Sequence, residues 1–471
     1  MNQQYDLAVI GSGPGGYRAA TLAALRGLKV AIIERAEWGG CCLNRGCVPK
    51  KDWHHTARLI VVSRDFAARG IRSELSADMN IAWHHQKKVV ATVQESYIDY
   101  MHRLKIATFT GHARFCSPHE LEIHDSQGEN RRIRASSIII ATGGSAHVPE
   151  PFAPIPGKIL TSDMLFDHEP PRGERVALIG SGVVATEFAF IFSMLGKKVS
   201  WLARSPALRK IPFSTQAKTT LHDALARHDI TLLQGESFTG IDAEGDTVRL
   251  QLGSGETLEV DWVCLGTGRV PHTEGLDLDA VGIATDDKGF IVRNAHLQTT
   301  LPHIYAIGDV ASPAMTANHA ISDATIAVSN IIEGNTREQD DRWVPIVVYS
   351  AIEMARLGLD EDAAEDEGFE PAVGFAAFET SPRALGQDDA EGFVRLISDM
   401  DDGHFLGGEI IGSEAGELIH LLSLAPDRAS LLRWLARGTY NHPARAEELG
   451  NATETLASKW GLSDVIFGEG Q

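Results

Sequence analysis

Cysteine is scarce in this chain. Five occur in 471 residues, an odd number. That excludes a disulfide-framework protein and suits a compartment where thiols stay reduced. Positive charge is in deficit too. Lys and Arg number 43 against 63 Asp and Glu, for a formal net charge of −20 and a pI near 5.4. The balance argues against nucleic acid as a partner and otherwise reads as ordinary solubility. No apolar run reaches membrane length, and no low-complexity stretch stands out. The chain opens on a polar tetrapeptide and enters a strand pattern at once, without the signature of a signal or transit peptide. The expectation is a cytoplasmic protein with no membrane attachment. The length suits two to four domains with ample core. An acidic run at residues 360–367 reads as a solvated helix face sooner than a docking patch.

Three of the five cysteines fall in one segment, Gly39-Gly40-Cys41-Cys42-Leu43-Asn44-Arg45-Gly46-Cys47-Val48-Pro49-Lys50-Lys51. Pro49 lacks an N–H and fixes φ, so it is tolerated only in the first turn of a helix. The helix therefore starts near Gly46 or Cys47. A thiol there sits at the positive end of the helix dipole, which favours the thiolate. Cys42, expected on the incoming loop, is within reach, so the pair can cycle between dithiol and disulfide. Other readings compete. A structural disulfide lacks any mark of secretion. A zinc site drawn from Cys42, Cys47, His54 and His55 matches no common ligand spacing. Two buried free thiols are the plain alternative. No metal is expected, and Cys41, Cys116 and Cys264 read as free thiols.

Just upstream, residues 5–10 read as a buried strand, followed by Gly11-Ser12-Gly13-Pro14-Gly15-Gly16, an alanine-rich helix over 17–25, and a strand over 29–33 closed by Glu34. Gly11 makes a tight turn, Gly13 lets the backbone approach a pyrophosphate, and Gly16 lets helix and strand pack closely. The helix N-terminus favours the anion. Glu34 lies where a carboxylate accepts from a ribose hydroxyl. A second such unit follows: a strand over 175–179, Gly180-Ser181-Gly182-Val183-Val184-Ala185-Thr186-Glu187, a helix to about residue 195, and a strand over 199–202. Two dinucleotide sites with a dithiol after the first point to electron relay between a flavin, a nicotinamide and the cysteine pair. The second unit's strand ends in Ala203-Arg204 with no acid. Arg204 offers a planar fork suited to a 2′-phosphate, with Arg209 and Lys210 close by, so NADP(H) is the expected nicotinamide.

On these motifs the chain resembles the pyridine nucleotide–disulfide oxidoreductase family, which includes dihydrolipoamide dehydrogenase, glutathione reductase and mercuric reductase. The resemblance runs from residue 5 to about residue 456. It adds Ile138-Ile139-Ile140-Ala141-Thr142-Gly143, Gly266-Thr267-Gly268-Arg269-Val270-Pro271 and His303-Ile304-Tyr305-Ala306-Ile307-Gly308-Asp309. It implies an α/β fold with two Rossmann-like dinucleotide-binding domains, for FAD and NAD(P), and a C-terminal α+β dimerisation domain. The segments would be 1–148 for FAD, 149–279 for NAD(P), 280–342 returning to the FAD part, and 343–471 for dimerisation. FAD would lie on Gly11, Gly13, Gly16, Glu34, Gly40, Ala113, Thr142, Gly143 and Ala317, with Asp309 on its ribityl chain. Gly180, Gly182, Ala185 and Gly268 would serve the nicotinamide, with Arg204 and Arg209. Ala185 in the third glycine position is frequent in NADP-binding members. Lys51 would lie beside the flavin and pair with Glu187. Cys47 would be the thiolate next to the isoalloxazine, and Cys42 would exchange with substrate.

The C-terminal region carries strand patterns at 372–378, 392–397 and 405–411 and helical ones at 414–424 and 428–437. Thr439-Tyr440-Asn441-His442-Pro443-Ala444-Arg445-Ala446-Glu447-Glu448 resembles the family's HPxxxE signature. It implies His442 as acid/base and Glu447 as its orienting carboxylate, supplied across a homodimer. Mercuric reductases carry a C-terminal cysteine pair, and this chain has no cysteine after Cys264. Leu202-Ala203-Arg204-Ser205 still resembles their nicotinamide domain, and Val48-Pro49-Lys50-Lys51 resembles glutathione reductase. Leu43-Asn44, Ser381-Pro382-Arg383-Ala384 and Leu406-Gly407-Gly408-Glu409-Ile410-Ile411-Gly412 resemble dihydrolipoamide dehydrogenase, whose members mostly use NAD. The last set weighs most, because that domain shapes the disulfide site. Departures cluster on the substrate side: Cys41 for threonine, Arg45 for a small apolar residue, Ala444 for threonine, and Ser350-Ala351-Ile352-Glu353 for a motif with proline. The leading expectation is a dihydrolipoamide dehydrogenase-type enzyme acting on a lipoylated carrier protein or a small dithiol. The alternatives are an NADPH-dependent reductase of a small disulfide such as glutathione's, and a flavoprotein subunit or redox sensor without turnover.

Overall fold

The computed structural model describes residues 3–72, 75–425 and 427–468. Two compact units result. The first comprises Met1–Thr56, Ala77–Gly180 and Ser237–Asp340, and the second Ala57–Ser76, Ser181–Glu236 and Asp341–Gln471.

In the first unit, the strand Gln3–Ile10 pairs in parallel with Val30–Glu34 on one side and with Asn130–Ile140 on the other. Its residues 7–10 are buried. A strand covered on both faces carries continuous apolar side chains, which is why these strands read as short hydrophobic runs. Ala107–Thr110 extends the sheet beyond Val30–Glu34. Asn130–Ile140 is long enough to serve three partners: besides Gln3–Ile10, its first half is antiparallel to Glu120–His124 and its end parallel to Ile304–Ala306. The helix Pro14–Leu25 begins as its glycine turn requires, with Pro14 in the first turn. Its Ala19, Ala20 and Ala23 share a core with Ala324 and Ala327 of the helix Ala317–Glu333. The same unit holds Trp262–Leu265, parallel to both Ile159–Thr161 and Arg175–Ile179, and the short antiparallel pair Gly144–Ala146 with Arg269–Pro271.

In the second unit, the helix Val183–Met194 is almost wholly buried, and Lys198–Ala203 pairs in parallel with Leu232–Gln234. Residues 346–411 build a five-stranded antiparallel sheet. The helix Glu447–Trp460 lies on it. Leu449, Ala452 and Leu456 share a core with Ala372, Val394 and Leu396, Thr455 Oγ1 donates to the Phe375 carbonyl, and Trp460 Nε1 donates to that of Val373. A Cβ at Gly374 would collide with the Ala452 carbonyl, so the close approach needs glycine.

Several sequence expectations change here. The strands Ile346–Tyr349 and Glu353–Gly358 and the helix Glu447–Trp460 were not expected. The helix over 414–424 is two short ones, Ala415–Leu418 and His420–Ser423, and Glu414 stands outside with φ 68°. That over 428–437 begins at Leu431. The acidic run forms the helix Glu361–Asp366, where the Asp360 carboxylate accepts from the Ala363 N–H at 2.9 Å. Acids in its first turn complement the dipole.

Candidate active site

The first glycine turn is built by steric necessity. Gly11 has φ +103°, and a Cβ there would strike the Ala141 carbonyl; a Cβ at Gly16 would strike the carbonyl of Gly11. A Cβ at Gly13 would meet nothing within 4 Å. The turn is therefore open on the side where a pyrophosphate would lie against the helix N-terminus. Glu34 is buried at the end of its strand and accepts from Ser12 N (2.9 Å), Ser12 Oγ (2.7 Å) and Ala36 N (2.9 Å). Ser12 Oγ accepts in turn from Gly39 N at 3.0 Å, and a Cβ at Gly40 would lie 2.7 Å from the Gly13 Cα. The start of the cysteine segment thus rests directly on the dinucleotide turn.

Cys42 lies in the short helix Gly40–Asn44, not on a loop as the sequence suggested. Cys47 is the first residue of the helix Cys47–Ser63. The two form a disulfide with their Cα atoms 4.7 Å apart. Asn44 Nδ2 donates to the carbonyls of Trp38 (3.1 Å) and Gly40 (2.9 Å), tying the residue after Cys42 and Leu43 back to the start of the segment. Arg45 Nη2 donates to both oxygens of Glu37, at 2.8 and 2.9 Å, and its Nε donates to Asp167 Oδ1 at 2.5 Å. Lys51 follows on the cysteine helix, half-buried.

Cys41 points elsewhere. Its Sγ lies 3.5 Å from Asp163 Oδ1 and accepts from Arg269 Nη2 at 3.4 Å. Burial pushes this thiol up to about 12, with Arg269 opposing the shift. At neutral pH it is a protonated thiol and a poor nucleophile. Arg269 also donates to Asp163 (2.8 Å) and stands 3.5 Å from Asp309 Oδ2. Burial raises the pKa of Asp309, and Arg269 partly offsets this. Behind Asp309, the buried pair Arg293–Asp323 (2.7 Å) fixes the chain, because Asp323 Oδ2 also accepts from Gly308 N at 2.9 Å. Nearby, Thr142 Oγ1 donates to the His272 carbonyl at 2.6 Å, and Gly143 takes φ +71°. Ala113 is buried on the strand His112–Ser117, and Ala317 opens a helix capped by Thr316. Gly180 and Gly268, also in this unit, have φ +130° and +102°.

The second unit carries the remaining candidates. Gly182 caps the helix Val183–Met194, with open space where its Cβ would be, and Ala185 is fully buried. The Ser181 and Ser205 hydroxyls are 2.9 Å apart, and Leu208 N donates to the Ser181 carbonyl at 2.8 Å. These bonds hold the 204–209 loop against the glycine turn. Arg204 and Arg209 are exposed on it. Glu187 is buried and accepts from Tyr349 N at 2.9 Å, while Ser350 Oγ donates to the Thr186 carbonyl. His442 Nδ1 is 2.9 Å from Glu447 Oε1, and Ala444 N donates to Oε2 at 2.7 Å. The His442 bond first, and the Ala444 N–H second, depress the Glu447 pKa. With Nδ1–H donating to Glu447, Nε2 is the basic nitrogen of His442. The His442 side chain is 71% exposed, so a substrate can reach it.

Sequence reasoning missed the Arg45–Glu37–Asp167 and Arg269–Asp163–Cys41 groupings and the Arg293–Asp323 pair. Arg269 sits inside a recognised motif, so it carried a signal. Asp163, Asp167, Arg293 and Asp323 sit in none.

Comparison with known proteins agrees with this geometry. The pyridine nucleotide-disulphide oxidoreductase pattern matches residues 5–324, and that family's dimerisation domain matches residues 344–453. The chain belongs to the pyridine nucleotide-disulphide oxidoreductase family. It is 34% identical over 458 residues to a dihydrolipoyl dehydrogenase of Thermus scotoductus, covering 96% of this chain and 97% of that one. It is 30% identical to the mitochondrial dihydrolipoyl dehydrogenase of Pisum sativum, covering 97% and 92%. In fold it is similar to LpdA from Mycobacterium tuberculosis, with TM-score 0.89, 22% identity and 96% and 99% covered. It is similar also to the HOCl-induced flavoprotein disulfide reductase RclA of Escherichia coli, with TM-score 0.83, 25% identity and the same coverage.

Proposed function

We propose that the protein is an FAD-dependent dithiol/disulfide oxidoreductase of the dihydrolipoamide dehydrogenase type. The observation that carries this is the Cys42–Cys47 disulfide at a helix start, built directly onto an open glycine turn by Gly40 and Ser12. The residues fit the flavin: Gly13 leaves room for a pyrophosphate, Glu34 offers a carboxylate at the ribose position, and Asp309 is a half-buried acid for the ribityl chain. When bound, FAD would take two electrons from the reduced cysteine pair and pass a hydride to the nicotinamide.

The chain's own residues prepare that transfer. His442 Nε2 takes a proton from an incoming dithiol, and Glu447 holds the ring and stabilises its charge. The substrate thiolate attacks Cys42 Sγ and the Cys42–Cys47 bond breaks, leaving Cys47 as a thiolate favoured by the helix N-terminus. The second substrate thiol then displaces Cys42. The second thiol's proton passes to the departing Cys42 sulfur, the substrate leaves as a disulfide, and the enzyme holds the electron pair as the Cys42 thiol and Cys47 thiolate with the first proton on His442. Lys51 and Glu187 belong to this reading as a pair beside the flavin. So do the division into FAD, nicotinamide and dimerisation segments, a site completed by the partner subunit, and a lipoylated carrier protein as partner. Placement in the cytoplasm is supported by three cysteines left as free thiols. Cys41, held protonated by burial, does not suit a sensor thiol. Oxidation of dihydrolipoamide by the FAD-loaded protein tests the proposal. Turnover of glutathione disulfide in its place would select the small-disulfide reductase, and neither activity would leave a subunit without turnover.

For the nicotinamide, exposed Arg204 and Arg209 beside the second turn favour NADP(H). Arg204→Glu is expected to weaken NADP(H) relative to NAD(H) by about tenfold or more, the loss of a charge-assisted phosphate contact. Specificity constants for both cofactors check it. A preference for NAD in the unaltered enzyme would overturn it.

A further inference from the structure

Arg45 lies between the two cysteines and is tied to two acids. Its guanidinium, 26% exposed, donates to Glu37 and Asp167. Its backbone N–H donates to the Cys41 carbonyl at 2.8 Å. A Cβ on Gly46 would stand 3.3 Å from the Cys42 Cα, so the Arg45–Gly46 peptide folds tightly back on the Cys41–Cys42 backbone. Asp167 is itself held in place. Phe166 packs on Trp53 of the cysteine helix with ring centroids 4.8 Å apart, and Asp163 of the same segment takes Arg269 and Cys41. The cysteine turn therefore carries Arg45 tied between two acids, three groups that sum to one negative charge, with the Lys87 ammonium facing all three.

We propose that this group sets the acidity of the reduced Cys42–Cys47 pair, with Arg45 favouring the thiolate and Glu37 and Asp167 both orienting Arg45 and opposing it. Arg45 is a positioning and tuning residue, not a catalytic one. The proposal rests on the reading of Cys42 and Cys47 as the redox couple. Reduction by a dithiol delivers two electrons and two protons, the S–S bond breaks, and two thiols form, one of which releases its proton to water. A nearby cation lowers the pKa of that thiol and a nearby anion raises it. Lys87 of the helix Met79–Arg103 faces Arg45, Glu37 and Asp167, Lys50 and Lys51 lie on the cysteine helix, and Asp163, Arg269 and Asp309 lie around Cys41. They are unchanged in every variant below, so their contributions cancel.

The test is the pH dependence of thiol reactivity in the FAD-loaded protein, reduced with dithiothreitol. Alkylation by iodoacetamide is followed at Cys42 and Cys47 separately by mass spectrometry. Arg45→Gln leaves two negative charges and is expected to raise the thiol pKa by about half a unit or more, the direction that loss of a neighbouring cation gives. Asp167→Asn leaves a neutral group and is expected to lower it by a similar amount. The double variant restores one net negative charge and should return near the starting value, and Arg45→Lys should stay there. Loss of packing alone would move both single variants the same way. That result, or no movement in either, overturns the proposal. Failure of the function itself shows differently: the unaltered protein would not oxidise dihydrolipoamide, while the alkylation pattern would still judge the charge group.

Discussion

Cys47→Ser is expected to lower dihydrolipoamide oxidation on the order of a thousandfold or more, as removal of a covalent participant does. It should also abolish the long-wavelength charge-transfer absorbance of the two-electron-reduced, FAD-loaded protein. Cys42→Ser should stop turnover as fully but leave a thiolate at Cys47 and hence keep a charge-transfer band. Cys41→Ser should keep turnover, because the Cys41 thiol is directed at Arg269 and Asp163 and burial holds it protonated. Anaerobic reduction followed by absorbance separates the three. A Cys41→Ser protein as inactive as the other two would show that the redox unit is not a simple pair.

His442→Gln is expected to cost on the order of a hundredfold to ten-thousandfold in dithiol oxidation, the range of a general base. Hydride exchange between nicotinamide and flavin should persist, since that step does not use the imidazole. The pH sign follows from Glu447. Its pKa is depressed in the folded protein, so the carboxylate that holds His442 and the Ala444 N–H is present above the ordinary carboxylate range and is lost as pH falls through the depressed value. Complementation tests the shared site. If half of a mixed population of Cys47→Ser and His442→Gln chains forms mixed dimers, each with one intact site, about a quarter of full activity should return. Subunit exchange without recovery would remove the shared-site reading.

Much of this was legible in the sequence because sterics left little choice. Gly11, Gly16 and Gly40 sit where no side chain fits, and Pro49 admits only a helix start. Cys42 and Cys47 followed from that start, while His442 and Glu447 came from the resemblance to the family's HPxxxE signature; their side chains lie 2.9 Å apart. What could not be read has a common cause. Asp167 on Arg45, and Asp163 and Arg269 on Cys41, lie more than a hundred residues away, and the two acids fall in a segment with no pattern of its own. Short elements failed for a different reason. Ala415–Leu418 and His420–Ser423 are too brief for helical periodicity, because tertiary packing and not propensity stabilises them. The helix Glu447–Trp460 buries Glu448, Gly450 and Thr453 beside Leu449, Ala452 and Leu456, so its buried face carries no clean apolar stripe.

The reach of Asn130–Ile140 bears on how the protein is made. Gly11 closes against Ala141, and Ile140 in turn accepts from Ile307 N at 2.9 Å. The first turn off the ribosome therefore lacks its wall until residue 141 has emerged, and that wall lacks its outer brace until residue 307 has followed. Contacts so distant in sequence form slowly. The nascent chain spends most of its synthesis with the flavin cradle half-built, and its thiols meet the surrounding redox buffer before they meet their cofactor.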